Sequence, residues 1–590
     1  MHKPTDFALA ITALLAAGCA TVPPPALERP EPAWSVEFDH PVTYHKVVGD
    51  DLLMIGTTRH LYAADPTNGD LLWRLRNVNA SARDVVHVEG EPYLLINDAG
   101  GGAFDDLGTH VLSVDRNDGL LLWESPVLSG RGLQARIDYE ENTLFVVTVP
   151  QAHGDDSGIL KELLPGKGLM SGLKREPEMT LINLNDGSVL WSQPFGADVP
   201  MRPSYRHGVG GSGAAEDYRP FDLGLYHPPA TVGEQICVNF SGISCYDMES
   251  GQPTWSRSYE VVDDELALSY PNPISTPDVL ITADTRRAYR LDPDSGRVIW
   301  RSEKIGRVPE WLDDEDIVFA QVGGRYFDMD KERWVARGNF AVVALNKRNG
   351  NVLWEHEKVY RSISNLMVAG PFVWVADERY LFALDRLDGS VGLQVPHRLG
   401  EPPNYVLLNE NQQIVLISES EAAGYHQDSG KLLWYESYPA PRPSAWRRLA
   451  GSLMTASGSI FKLSSTVIAY GSGMLPSIPN ITFTDGRKLI SGKSLLKRTT
   501  GMLGESLYDM GSNVGDNSGY ANLTGKSQYF LTELEEYDDE VVLAAVDLNQ
   551  GTTRRLTVLP AQTTQIVIDE VNGLLYQAIG HRLVAVPLGE

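Results

Sequence analysis

A short phrase recurs along this chain: an apolar strand, Asp or Asn, three residues, Gly, three residues and Trp. In seven copies the Gly is followed by Trp four positions later, although only 12 of the 590 residues are Trp. These copies end in Trp73, Trp123, Trp191, Trp255, Trp300, Trp354 and Trp434. Such a repeat indicates an array of small stacked units, because no unit can bury both faces of its own sheet.

Three further copies of the phrase lack the Trp. Gly389 is followed by Leu393 and Gly551 is followed by Arg555 at the position of the Trp. The last copy is a remnant, RLVAVPLG, near the C-terminal end. The count is therefore ten units, although a chain of 590 residues would ordinarily suggest roughly three or four domains.

Each unit has the pattern of four short strands. The Gly supplies the left-handed backbone of a tight turn, the Asp or Asn accepts hydrogen bonds from the turn, and the Trp packs on a neighbouring unit. Two more apolar strands precede the phrase, as in VTYHKVVG and LLMIGTT before the first copy. Four strands in roughly 40–55 residues predict an all-β fold, a single closed β-propeller of four-stranded blades.

The two ends of the chain predict how the ring closes. The C-terminal unit stops one strand short, whereas residues 34–38 form an isolated fourth strand that begins with its own Trp, Trp34. We expect this N-terminal strand to complete the last blade, since closure removes exposed sheet edges. Trp34 then becomes an eighth docking residue between blades.

The N-terminal segment is typical of a targeting signal. Residues 8–17 are apolar, but a transmembrane helix needs about 20 such residues. The run LAAGC resembles a bacterial lipobox, which implies that Cys19 is lipidated; the alternative is an ordinary secretory signal with a chance Cys. We assign residues 1–18 to a signal peptide, 19–33 to a lipidated Pro-rich tether and 34–590 to the propeller.

The charge of the chain restricts its partners. The formal net charge is −27 and the isoelectric point is about 4.9. Nucleic acid is excluded as a partner, because binding to phosphates needs a basic surface. The same charge opposes adsorption to anionic lipid, so we expect contact with the membrane through the lipid anchor only.

Two cysteines other than Cys19 lie in the stretch ICVNFSGISCYD. A hairpin centred on Ser241 would place Cys237 opposite Cys245, and the periplasm favours disulfides, so we predict a disulfide here. The alternative is two buried thiols that are one residue out of register. A metal pair is excluded, because neither His nor a third Cys is near in sequence.

The phrases YAADPTNGDLLW and YRLDPDSGRVIW resemble the pyrroloquinoline-quinone-like propeller repeat with its tryptophan docking motif. With the lipobox, the chain resembles the BamB-type lipoproteins of the outer-membrane β-barrel assembly machinery. That resemblance implies eight blades, which is the alternative to our count of ten. The residue after the anchor, Ala20, implies sorting to the outer membrane, where the protein would face the periplasm.

Long segments interrupt the repeat, and we expect them on one face of the ring, where second-to-third loops and blade-to-blade connections lie. They fall at 96–109, 151–178, 203–230, 322–338 and 440–525. Their basic and apolar runs, such as ILKELLPGKGLMSGLKR, differ from the acidic blades. They are suited to docking a partner protein or touching lipid; the alternative is local packing over the rim.

We find no catalytic or cofactor-binding motif in the sequence. Quinoprotein dehydrogenases resemble the same repeat and are expected to carry adjacent cysteines, which this chain lacks, so we assign no cofactor and no catalytic residue. His40 and His45 are five apart, and acidic clusters lie at 313–316 and 533–540. We interpret these as ordinary surface or connection residues rather than metal ligands.

Two functions remain open. The first is a lipid-anchored periplasmic scaffold that binds envelope proteins, among them the β-barrel assembly machinery, through its insertion face. The second is a periplasmic quinoprotein-like enzyme or a small-ligand-binding protein that uses the central opening. Apolar and aromatic anchors in loops favour the first, and convergent titratable groups in a pocket would favour the second.

Overall fold

The computed structural model describes residues 27–588 apart from gaps, of which the longest are 99–109, 150–173, 201–229, 259–273, 439–480 and 485–526. Every regular element in the described residues is a β-strand. The described part of the chain therefore holds no helix long and apolar enough to cross a membrane.

The strands form ten successive blades in chain order. Two N-terminal strands come first, β1 (Leu27–Glu28) and β2 (Trp34–Glu37). Blade 1 holds β3 (Val42–Val48), β4 (Leu52–Thr57), β5 (His60–Ala64) and β6 (Leu71–Arg76). Blade 2 holds β7 (Val85–His87), β8 (Tyr93–Asp98), β9 (His110–Asp115) and β10 (Leu121–Glu124). The next stretch contains β11 (Arg131–Asp138), β12 (Thr143–Val149), β13 (Lys174–Arg175), β14 (Glu178–Asn183), β15 (Val189–Pro194) and β16 (Val199–Pro200).

Blade 3 is formed by β11, β12, β14 and β15, and β13 pairs with β16 beside it. Blade 4 holds β17 (Ala230–Val232), β18 (Gln235–Asn239), β19 (Gly242–Asp247) and β20 (Pro253–Ser258). Blade 5 holds β21 (Ile274–Thr276), β22 (Val279–Ala283), β23 (Ala288–Leu291) and β24 (Val298–Arg301). Blade 6 holds β25 (Glu310–Asp314), β26 (Ile317–Val322), β29 (Ala341–Asn346) and β30 (Val352–His356), with a separate hairpin of β27 (Arg325–Asp328) and β28 (Arg333–Ala336).

The remaining blades follow the same order. Blade 7 holds β31 (Met367–Ala369), β32 (Phe372–Ala376), β33 (Tyr380–Asp385) and β34 (Val391–Pro396). Blade 8 holds β35 (Tyr405–Leu408), β36 (Gln413–Ile417), β37 (Glu421–His426) and β38 (Leu432–Ser437). After β39 (Ile481–Thr484), blade 9 holds β40 (Ser527–Glu533), β41 (Val541–Asp547) and β42 (Thr552–Val558). Blade 10 holds β43 (Gln565–Asp569), β44 (Leu574–Ile579) and β45 (Arg582–Pro587).

The predicted fold class is confirmed: the chain is an all-β propeller, and its blades number ten rather than eight. The N-terminal strand closes the last blade as expected, because β2 pairs with β45 and places Trp34 opposite Ala585. A shared core then joins the last blade to the first, with Tyr576 of blade 10 and Leu53 of blade 1 in one cluster of buried side chains.

The contacts between blades explain the recurring phrase. Each phrase Gly that the structure describes has a positive φ, and the Trp of the preceding blade lies against it in most junctions. A Cβ on Gly69 would lie 2.6 Å from Cε3 of Trp34, and one on Gly119 would lie 2.7 Å from Cδ2 of Trp73. The indole ring therefore occupies the space that the Cβ of any other residue would need at the Gly position.

The indole N–H adds a hydrogen bond at seven junctions. It donates to the carbonyl of the residue after the Asp or Asn of the next blade's phrase, at 2.7 to 3.1 Å. The seven donors are Trp34, Trp73, Trp123, Trp191, Trp255, Trp300 and Trp354. A net gain of about 1 kcal/mol per bond adds to the burial of the ring.

Junctions with a degenerate phrase use other contacts. Leu393 and Val395 lie over Gly430 where the Trp is missing. Trp434 lies over Gly551, but its N–H donates to Gln413 of its own blade. The carbonyl that this indole would otherwise reach accepts from the Asn409 amide at 2.9 Å.

The ring has two different faces. We call the face with the turns that contain the phrase glycines the Gly-turn face. We call the opposite face, with the second-to-third loops and the blade-to-blade connections, the insertion face. The long segments of blades 2 to 6 leave and enter strands at the insertion face, as the order of strands within each sheet requires. The connection from β39 to β40 differs, because Thr484 pairs with Asp569 and Ser527 pairs with Asp547, which places both of its ends at the Gly-turn face.

Blade 9 and blade 10 depart from the regular pattern. In blade 9 the innermost described strand, β40, occupies the second position, and β1 adds outside β42. In blade 10, β39 pairs in parallel with β43 on the side of the ring axis. The segment 440–525, which we expected to decorate the insertion face, departs from that expectation. Its strand β39 runs from the insertion face to the Gly-turn face, and the connection from β39 to β40 starts and ends at the Gly-turn face.

Two cysteines of blade 4 lie opposite each other on β18 and β19. Cys237 and Cys245 form a disulfide, with their Cα atoms 4.1 Å apart. Both side chains are buried in the core that blade 4 shares with blade 5. The disulfide therefore links the two middle strands of one blade.

A pair of glycines separates the effect of the Trp contact from that of the backbone. Gly119 (φ +72°) lies under Trp73, whereas Gly233 (φ +60°) has nothing within 4 Å of its would-be Cβ. Both Gly→Ala changes strain a left-handed residue by about 1–2 kcal/mol. Only Gly119→Ala also displaces an indole ring, which we expect to cost about 1–3 kcal/mol more.

Thermal and urea unfolding of the two variants beside the unmodified protein measures this difference. We expect a clearly larger loss of stability for Gly119→Ala than for Gly233→Ala. Equal losses in the two variants would contradict a stabilising role for the indole contact.

Candidate interaction face

Four blades have a second-to-third turn of four residues on the insertion face, and these turns share one hydrogen-bond pattern. A side-chain oxygen at the end of the second strand accepts from the backbone N–H three residues later, which closes a tight turn. The pairs are Thr57 with His60, Asp284 with Arg287, Asp377 with Tyr380, and Ser418 with Glu421, at 2.6 to 3.1 Å. These turns belong to blades 1, 5, 7 and 8.

The long segments concentrate above blades 2 to 6. Second-to-third loops are extended in blades 2, 3 and 6, and extended connections follow blades 3 and 4. Another extended connection follows blade 8. Much of the predicted segments 96–109, 151–178, 203–230 and 440–525 lies outside the described residues.

Two described elements show how these segments are attached to the ring. The ladder of β13 and β16 joins the long loop of blade 3 to the connection that leaves the same blade. The hairpin of β27 and β28 has four residue pairs and belongs to neither neighbouring blade. The insertion face thus carries structured elements of its own.

The rim between blades 7 and 8 is held by one buried carboxylate. Glu421 accepts hydrogen bonds from the backbone N–H groups of Gly400 and Glu401, and from the Tyr435 hydroxyl. Burial, and then this bond to Glu421, raises the pKa of the Tyr435 hydroxyl. Arg398 lies over the Tyr435 ring at 5.5 Å. Each group has a partner within the rim, so this cluster stabilises the connection rather than offering a reactive centre.

The two histidines that the sequence raised as possible metal ligands, His40 and His45, have different environments. The His40 ring packs against His60 at 5.4 Å, whereas His45 is fully buried in β3 and bonds to the Tyr576 carbonyl. Within the residues described, no group of three or more His, Cys, Asp and Glu could hold a metal.

The acidic cluster at 313–316 lies in the first turn of blade 6, on the Gly-turn face. Asp313 pairs with Lys347 at 2.6 Å, and Asp314 pairs with Arg386 of the next blade. Asp316 pairs with Arg348 at 3.0 Å. These carboxylates therefore link phrase turns within and between blades. The second cluster lies mostly outside the described residues.

The Gly-turn face carries carboxylates with depressed pKa values. The Thr67 hydroxyl bonds to Asp65 and is the main cause of its lowered pKa. The hydroxyls of Ser250 and Ser295 do the same for the phrase carboxylates of blades 4 and 5, Asp247 and Asp292. These turns are stabilised by ionised acids, and they leave this face strongly polar.

An exposed apolar belt on the outer strands was not among the sequence predictions. Residues between the phrase Gly and its Trp remain exposed, most of all in blade 2, where Leu120 is 63% exposed. Leu121 and Leu122 follow it on the outer edge. The sequence signal is the run of three Leu before Trp123, which periodicity assigns to a strand without saying which face is covered.

The family of the chain follows from a comparison with protein-family models. The model described as outer membrane protein assembly factor BamB matches residues 107–391 and 284–474. Together these matches span more than half of the chain. The chain belongs to this family. A comparison with curated protein sequences gave no match.

Several solved structures resemble the BamB-family chain at low identity. BamB from Moraxella catarrhalis is 14% identical, with 67% of this chain and 96% of that chain covered and a TM-score of 0.32. A computationally designed protein, Ika8, is 11% identical over 69% of this chain and 100% of its own, with a TM-score of 0.33. A europium-containing methanol dehydrogenase is 13% identical over 75% and 91%, with a TM-score of 0.30.

The phrase carboxylates predict a defined sensitivity to acid. Their folded pKa values lie below the ordinary value of 3.8, so the ionised forms stabilise the fold above that pH. This stabilisation is lost as the pH falls through the folded values. Asn occupies the same position naturally at Asn183 and Asn346.

We therefore expect the triple variant Asp65→Asn, Asp247→Asn, Asp292→Asn to melt below the unmodified protein at neutral pH, because it lacks the stabilisation that the ionised acids supply. On acidification below about pH 4, its melting temperature should fall less than that of the unmodified protein. Thermal melts across that pH range measure this. Parallel curves for the two proteins would contradict the role assigned to these acids.

Proposed function

We propose that this BamB-family propeller is a lipid-anchored periplasmic scaffold that binds envelope proteins during outer-membrane protein assembly. The observation that carries this proposal is the asymmetry of the ring. Long segments concentrate on the insertion face above blades 2 to 6, whereas the phrase turns on the other face are short and nearly constant in length. Binding commonly resides in long loops held on a rigid scaffold.

The scaffold itself is suited to presenting such loops. The blade cores are closely joined around the ring, as in the cluster that unites blades 5 and 6. The tight turns and the Glu421 rim show that the same face can be closed with a few residues. The long segments are therefore additions that the fold does not need, which supports a role in recognition.

The proposed attachment to the outer membrane is through Cys19, which would face the ring toward the periplasm. This part rests on the lipobox-like run LAAGC, which lies outside the described residues. Belonging to the BamB family supports the same location and partners.

Register allows the long loops to be replaced without disturbing the blades. In blade 7 the four residues Asp377–Tyr380 join the paired residues Ala376 and Leu381. Val322 and Ala341 form the equivalent pair in blade 6. In blade 2 the equivalent pair is Asp98 and His110. The sequence DERY can therefore replace 323–340 and 99–109.

The test measures binding of the purified protein to the purified periplasmic region of the barrel subunit of the assembly machinery. We expect the double loop replacement to weaken binding by at least about tenfold, the loss typical of removing interface anchors. The matched control puts DERY in place of residues 284–287 of blade 5, where the native turn has the same length. This control should bind as the unmodified protein does.

Two results would overturn the proposal. One is the absence of binding to that subunit by the unmodified protein, combined with saturable binding of pyrroloquinoline quinone. The other is equal binding by the loop-replaced protein and the control, once both have been shown to melt at similar temperatures.

A further inference from the structure

We infer that a cluster of arginine and histidine side chains at the seam between blades 10 and 1 binds an acidic segment of a partner protein. The cluster, which we call the basic seam, consists of Arg59, Arg74, Arg76, His40 and His60. It lies at the insertion face, on a blade whose second-to-third turn is short. The inference goes beyond the proposed function, because it does not depend on the long segments above blades 2 to 6.

The strand register places most of the basic seam on one face of blade 1. His60 on β5 lies opposite Arg76 on β6, and Tyr62 lies opposite Arg74. Since residues two apart in a strand share a face, the two arginines and the histidine lie on the face that carries Tyr62. The Tyr62 ring is buried against Phe38 in the core that joins blade 10 to blade 1. This face is therefore turned toward blade 10.

Contacts within the basic seam hold its groups close together. The guanidinium of Arg74 lies 5.9 Å from the centre of the Tyr62 ring. The rings of His60 and His40 pack edge to face, with 5.4 Å between their centres. The backbone N–H of Asn77 donates to Nδ1 of His60 at 3.3 Å. In neutral His60 the proton is therefore on Nε2, which is left as a donor for a ligand.

The arginines of the basic seam have no acidic partner. Within the residues that the structure describes, no ion pair is formed by Arg59, Arg74 or Arg76. Elsewhere in the ring arginines do have such partners, for example Arg555, whose Nε lies 2.9 Å from a carboxylate oxygen of Glu28. Although acids outnumber bases by 77 to 50 in this chain, three guanidinium groups remain uncompensated at one place.

The acids next to the seam in sequence do not neutralise it. Glu37 lies opposite Arg582 on β45, and Asp39 forms no ion pair in the described part of the chain. Burial is the main cause of a lowered pKa at His60, and the positive charge of Arg74 is the next. The surroundings of this histidine are therefore locally positive.

Blade 5 shows how a matching cluster is neutralised within the chain. Tyr289 lies opposite Arg301 there, in the same register as the tyrosine and arginine of blade 1. The Tyr289 hydroxyl donates to a carboxylate oxygen of Asp284, which closes the second-to-third turn of that blade. In blade 1 the position of Asp284 is taken by Thr57, a neutral side chain. The basic seam therefore lacks the carboxylate that its counterpart has, and a carboxylate of a partner can supply it.

A short acidic segment fits this site better than an extended anionic surface does. Arginine binds carboxylates through two parallel hydrogen bonds. Charges in water interact over a Debye length of about 8 Å at physiological salt, so a segment of a few residues interacts with the seam alone. A bilayer or a nucleic acid would also bring its charge against the rest of a chain with a net charge of −27.

The experiment measures the binding of fluorescein-labelled hexaglutamate to the full-length protein by fluorescence anisotropy. We expect saturable binding that Arg74→Gln weakens by at least about fivefold, the factor that one exposed ion pair can contribute. The matched control is Arg301→Gln, at the same register position in blade 5, where Asp284 already supplies the acid. This control makes the same change in net charge and should bind the peptide as the unmodified protein does.

A second variant supplies the missing carboxylate from within the chain. Thr57→Asp keeps an oxygen that can close the turn, as Asp284 and Asp377 do in their blades, so the fold should be retained. We expect this variant to bind hexaglutamate at least about fivefold more weakly. Its control, Gln394→Glu, adds one negative charge at an exposed position of blade 7 and should leave binding unchanged.

Absence of hexaglutamate binding, or equal weakening by Arg74→Gln and Arg301→Gln, would overturn the inference. Preferential binding to vesicles of phosphatidylglycerol that is lost in Arg74→Gln would also overturn it. The double loop replacement separates the two proposals, because it should leave hexaglutamate binding intact. Loss of peptide binding in that protein would overturn the inference and leave the proposed function standing.

Discussion

The contact of an indole ring with the glycine of the next blade's phrase is the interaction on which the rest of this structure depends. It combines burial of a large ring, a hydrogen bond from the indole N–H and a backbone that only glycine adopts without strain. Repeated around the ring, it sets the position of each blade relative to the next. The blades need no helices or long loops for this, and the chain becomes a closed ring of ten small sheets.

A ring assembled at one face leaves the other face free to vary. The junctions lie near the phrase turns, which are short, polar and rich in ionised acids, so long insertions there would separate an indole from its glycine. The insertion face has no such requirement, and blades with tight turns stand beside blades with long segments. The separation of constant phrase turns from variable loops on the insertion face is what supports a recognition role for a BamB-family chain.

The repeat made most of the ring predictable, because Gly, Asp and Trp at fixed spacing act locally and each copy implies the same turn. The closure by Trp34 also followed from the missing strand at the other end. Blade 9 could not be predicted in this way. Arg555 in place of Trp identifies a degenerate phrase, but its pairing with Glu28 joins residues that are more than five hundred positions apart. The placement of β39 beside β43 is likewise a non-local contact without a local pattern. The face on which most long segments lie could be predicted from the order of strands in a blade. The contacts of those loops could not, because they depend on tertiary packing.

Amide hydrogen exchange of the Trp34→Ala variant tests most directly whether the indole contact holds the ring together. Trp34 is the single docking residue that joins the two ends of the chain, since it lies on β2 and contacts Gly69 of blade 1. The account predicts that amides of β45 and β3 lose protection by at least about a hundredfold, while β22 and β23 of blade 5 retain theirs. Unchanged exchange in β45 and β3 would contradict the account.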